Sequence, residues 1–182
     1  EANVPIDPAR VKSAGLSYLA LGDWHGTTRI SDRVWYSGTP EPDGFRDNDP
    51  GNALVVRLDG AAPPQVERIA TAHFTWLARV VKVDSAEAMS PVEADVARFG
   101  AGAARTLLSL QLAGTVAMTE LGRIEERLGQ LAPQLFHLAF DTSGITAYAD
   151  VADLAALASP SLGEIAQRLK AASKRDGAEA AV

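Results

Sequence analysis

Tyr18-Leu19-Ala20-Leu21-Gly22-Asp23-Trp24-His25-Gly26 is an apolar run that stops abruptly in a glycine, an acid, an aromatic and an imidazole. It reads as a short strand that ends in a sharp turn at Gly22, and functional groups concentrate on the loops that leave such strands. Asp23 and His25 place an oxygen and a nitrogen donor two residues apart, which suits a divalent transition metal. Spacing alone equally fits a capping acid beside a solvent-facing histidine. On this stretch by itself both readings stand.

Outward from it, the first half of the chain is written in strands and loops. Residues 18–21, 34–37, 53–58 and a long stretch at 66–83 are apolar or alternating, the pattern of β structure. Between them, residues 38–44 and 60–64 are rich in Gly and Pro; neither residue suits a helix or a central strand, so both segments are expected to be loops. After Asp84 the period changes. Ser90, Pro91 and Glu93 form a capping-box signature for a helix over 91–99, with Val92, Val96 and Phe99 on one face. Leu108, Leu110 and Leu112 alternate with polar or small residues along a strand. Leu121, Ile124, Leu128 and Leu131 then recur at helical spacing until Pro133.

Two short strands at 135–141 and 145–149 are expected to join through Thr142-Ser143-Gly144 as a hairpin. A second capping box, Ser161 with Glu164, opens a last helix made basic by Arg168, Lys170, Lys174 and Arg175; the helix dipole accounts for basic residues at a helix C-terminus. The fold class is α/β in the broad sense (α+β). The change of period puts a domain boundary near Asp84 and Ser85, dividing residues 1–84 from a small α/β domain at 85–182.

Composition narrows the function classes. A net charge of -6 over 182 residues argues against holding nucleic acid by bulk electrostatics, so contact with it would be local. With 0 Cys there is no disulfide framework and no thiolate metal site, in keeping with a cytoplasmic protein. No apolar run reaches the roughly 18 residues of a membrane span, and no membrane partner is expected. Residues 1–8 read as polar connecting sequence without an initiator Met, which sets the expectation of further polypeptide upstream.

The segment from Tyr18 to His25 resembles the strand and Gly-His-x-His motif of calcineurin-like metallophosphoesterases. Val34-Trp35-Tyr36-Ser37-Gly38-Thr39-Pro40-Glu41 is similar to the loop that follows it in SbcD-type DNA repair exonucleases. The likeness covers residues 4–76 and, more loosely, the region beyond. It implies the edge of a metallophosphoesterase β-sandwich followed by a cap domain, and a metal-dependent phosphodiesterase activity with two Mn(2+) ions. His25 matches the second motif histidine, and Asp23 stands where the first would be, exchanging imidazole for a carboxylate. Tyr36, Ser37, Gly38 and Thr39 are the implied phosphate-binding residues.

The family's earlier metal motifs have no counterpart here, so the chain alone is expected to be inactive and completed by the N-terminal remainder of the phosphoesterase domain. The implied substrate is DNA or a nucleotide phosphodiester, and the implied partner an SMC-like ATPase. The alternatives are a non-catalytic module that binds DNA or the ATPase, and a phosphoesterase for small nucleotides. Arg29 and Arg33 read as surface charges, and His73 and His137 as structural residues on strands among apolar neighbours.

Overall fold

Val34, Trp35 and Tyr36 form the central strand of the first sheet because each neighbour pairs with all or most of this short segment. The computed structural model of the chain describes residues 6–60 and 62–149. Within them, β1 (Leu19–Leu21), β2 (Thr28–Ser31) and β3 (Val34–Tyr36) make a three-stranded sheet in the order β1-β3-β2. β1 runs parallel to β3, with Leu19 opposite Val34 and Leu21 opposite Tyr36. β2 is antiparallel to β3 and carries a register shift between Arg29 and Ser31. Parallel strands require a long connection, so the chain between β1 and β3 makes an excursion that contains both β2 and the Asp23–His25 turn.

A one-turn helix, α1 (Arg10–Ser13), supplies Val11 to a small core. Val11, Leu21 and Val34 are 3%, 8% and 0% exposed, with Leu19 and Tyr36 packed against them. Burial on this scale contributes about 1.5–3 kcal/mol for each large aliphatic side chain. Next, β4 (Asn52–Arg57) and β5 (Gln65–Ala70) form an antiparallel hairpin, paired from Asn52↔Ala70 to Arg57↔Gln65.

The stretch at 66–83 is two strands rather than one. After β5 the chain breaks, and β6 (Thr75–Val83) begins afresh. The break is held from outside: Thr71 and Ala72 donate their amides to Gly51 O at 2.9 and 3.1 Å, and the Glu41 carboxylate accepts the amides of His73 and Phe74 at 2.7 Å each. A carboxylate across two successive amides bends the chain there. His73 therefore lies on a connection and not on a strand, with its side chain exposed; His137 opens a strand but is exposed too. Neither is a core histidine.

The chain forms two compact units, one of residues up to Ala78 with Arg105–Leu108, the other of Arg79–Ala104 with the residues from Ser109 on. In the second, α2 (Ser90–Phe99) and α3 (Met118–Leu131) accompany a sheet of order β6-β7-β8, where β7 is Thr106–Ala117 and β8 is His137–Tyr148. Met89, Leu110, Leu112, Val116, Ile124, Leu128 and Leu131 are its most deeply buried side chains.

Two local expectations in this unit are corrected. Ser90 lies inside α2, behind the 3-10 turn Ala86–Met89, and no side chain caps the helix. Its hydroxyl instead donates to Glu87 and accepts from Arg127, while Glu93 receives Arg127 in a two-point pair at 2.7 and 2.8 Å. A guanidinium fork outcompetes the weaker reach of Glu93 back to the helix start. The hairpin at 142–144 is also absent: β8 runs unbroken through Gly144, and none of residues 141–144 has the positive φ that a tight hairpin turn requires. Gly144 instead lets β7 approach, since a Cβ there would lie 2.8 Å from Leu112 O. The expected helix after Ser161 lies outside the described residues. The described chain is a mixed α and β structure with several sheets, and no helix in it is long and apolar enough to cross a membrane.

Candidate functional site

The turn after β1 is made by Asp23, not by Gly22. Asp23 has φ 73°, one of two non-glycine residues among those described in the left-handed region, a conformation that Asp tolerates better than most residues. The turn leaves Asp23 exposed, Trp24 52% exposed and His25 at the mouth of the connection.

His25 is then fixed through its backbone. Its carbonyl accepts the Thr39 amide at 2.9 Å and the Thr39 hydroxyl at 3.3 Å. The Thr39 carbonyl in turn accepts the amides of Gly51 and Asn52 at 2.8 and 3.3 Å. Alongside, Thr27 donates its hydroxyl to Ser37 O at 2.9 Å and its amide to Asp49 O at 2.9 Å. Buried Asn52, 5% exposed, ties the ends together by donating to Thr27 Oγ1, Asp49 O and Pro50 O at 3.0 to 3.2 Å. Each buried polar group thereby finds a partner, which is the condition for keeping an irregular segment packed.

Glycine makes the close approach feasible. Gly38 has φ +74°, and a Cβ on it would lie 2.8 Å from Gly26 C, His25 O and Thr27 N. On Gly26 a Cβ would meet Asn48 O at 1.8 Å. The His25 turn, the Gly38–Thr39 loop and the 48–52 segment are thus in direct backbone contact.

The His25 side chain is 41% exposed, and its Nδ1 lies 2.6 Å from Asp43 Oδ2. That nitrogen is buried and out of line for a regular hydrogen bond, so the exposed part of the ring is its other edge. Asp43 was not legible as a site residue; it sits far along the chain in a Pro-Glu-Pro-Asp-Gly loop. The loop is pinned by Glu41 on the 73–74 amides and by Thr71 Oγ1 donating to Pro40 O at 2.5 Å. The two accepted amides, of His73 and then Phe74, hold the Glu41 carboxyl below its ordinary range.

The four loop residues take distinct places. Tyr36 ends β3 and packs on the small core. Ser37 is exposed and donates its hydroxyl to Gly38 O at 3.3 Å. Gly38 fills the close contact just described, and the Thr39 amide is committed to His25. Arg29 is elsewhere, paired with Asp32 and stacked 5.6 Å from the Trp35 ring centre. Arg33 donates to Ser17 O at 2.8 Å.

His25 and Asp43 are two donors, and among the described residues no group of three His, Asp or Glu side chains could hold a metal ion. Structural and catalytic metals take at least three protein donors or a substrate in their place. The described residues therefore do not fit a two-metal centre by themselves. Comparison of the chain with protein-family models and with curated proteins finds no match.

Proposed function

We propose that this chain is the C-terminal part of a metal-dependent phosphodiesterase of the SbcD type acting on DNA. His25 is its contribution to a metal centre whose other ligands come from a further segment of polypeptide, and the second unit serves as the cap. The observation that carries this reading is the imidazole of His25, locked at the end of β1 against the Gly38–Thr39 loop with one ring edge exposed. That pairing of turn and loop follows the order in which the two resembling motifs occur. Asp23 is a weaker ligand candidate, because its backbone conformation already accounts for the residue type.

A non-catalytic module that binds DNA or an ATPase partner is the second reading, favoured by the two-donor set at His25. Assays with a model phosphodiester and Mn(2+) separate the two. The 182-residue chain is expected to show negligible turnover. The same chain joined to a polypeptide that supplies the earlier motifs is expected to turn over, to lose that activity with His25→Ala, and to keep it with His73→Ala or His137→Ala. Equal, mild losses in the three variants would remove His25 from the site.

A further inference from the structure

The carboxylate of Asp43 lies 2.6 Å from Nδ1 of His25, and that nitrogen is buried although the side chain as a whole is 41% exposed. An ionised carboxylate only accepts hydrogen bonds. Two acceptors facing one another at that distance repel, so the contact requires the proton of the imidazole to sit on Nδ1. In the neutral ring the lone pair is then on Nε2, at the edge left open. The carboxylate cannot easily drift away. Its loop is stiffened by Pro40 and Pro42, whose φ is fixed, and clamped by Glu41 and Thr71 from the 71–74 connection. The His25 backbone is equally held, through Thr39.

We propose that Asp43 is a positioning residue which sets the tautomer and ring orientation of His25, presenting Nε2 as the nitrogen that binds a metal ion or accepts a proton. The inference rests on the role given to His25 above and adds the group that makes the imidazole ready for it. Carboxylates that hold the far nitrogen of a ligating histidine typically change affinity or activity by about 10- to 100-fold when removed.

The test is nitrogen NMR of the full 182-residue chain with labelled histidine, at about pH 8, where a free imidazole of pKa about 6.5 is neutral. The His25 signals are assigned by their loss in His25→Ala. The expected result is a single Nδ1–H tautomer for His25, a mixed population in Asp43→Ala, and recovery in Asp43→Asn, whose amide oxygen can still accept. Backbone amide spectra check that each variant is folded. An Nε2–H tautomer in the parent, or an unchanged His25 in a folded Asp43→Ala, overturns the proposal. Addition of Mn(2+) to the chain joined to the earlier motifs tests the other reading separately: a tautomer set by Asp43 without selective broadening of His25 by Mn(2+) would leave Asp43 its positioning role and sink the metal role of His25.

Discussion

Asp23 shows how a residue can look chemical and act conformationally. Its left-handed backbone, φ 73°, turns the chain out of β1, and for a residue with a Cβ that conformation costs roughly 1–2 kcal/mol unless a short polar side chain eases it. Asp23→Gly is therefore expected to match or slightly exceed the parent in denaturant stability, while Asp23→Val should lose about 1–2 kcal/mol. A pronounced loss with glycine would show that the carboxylate itself matters. Asp43 shows the reverse: nothing in Pro-Glu-Pro-Asp-Gly marks it as more than a turn acid, because its partner lies in a different loop.

At the scale of elements, period and punctuation were informative and tertiary competition was not. The strands at 18–21, 34–37 and 53–58 correspond to β1, β3 and β4, and the leucine-spaced helix to α3. The failures share one cause. Glu41 breaks the long stretch at 66–83, Arg127 diverts Ser90 and Glu93 from a capping box, and β7 draws Gly144 into an extended strand. Each is a contact between segments distant in sequence. The site divided the same way, since its turn was legible and the lacing that holds it was not. Leu110 and Ile124, both 0% exposed, provide the check on the second unit. Leu110→Ala and Ile124→Ala should each cost about 2–5 kcal/mol in a denaturant titration, whereas Gln111→Ala on the exposed side of β7 should change little.

For the whole molecule, two carboxylates link acid stability to both units. Glu41 accepts the amides of His73 and Phe74, and Glu120 accepts the amide of Ala86 beside Arg123. Both are held below the ordinary glutamate value of 4.5. A depressed folded-state value means that the unfolded chain takes up the proton first, so the stabilisation is complete above 4.5 and is lost as pH falls through the lower folded value. Thermal melts below pH 4.5 should accordingly lose less stability per pH unit in Glu41→Gln and Glu120→Gln than in the parent. An unchanged acid slope in both would mean that these bonds do not persist in solution.

The excursion between β1 and β3 has a consequence for how the molecule assembles. Parallel pairing closes only after the intervening chain has been threaded into place, and loop-closure entropy makes such long-range pairing slow. The Asp23–His25 turn is carried by that excursion, and its lacing through Thr39 to Gly51 reaches forward to β4. A nascent chain that has emerged only as far as β3 thus lacks the 48–52 partners that fasten the turn, and the imidazole acquires its fixed setting late, once the start of the β4–β5 hairpin has folded back beneath it.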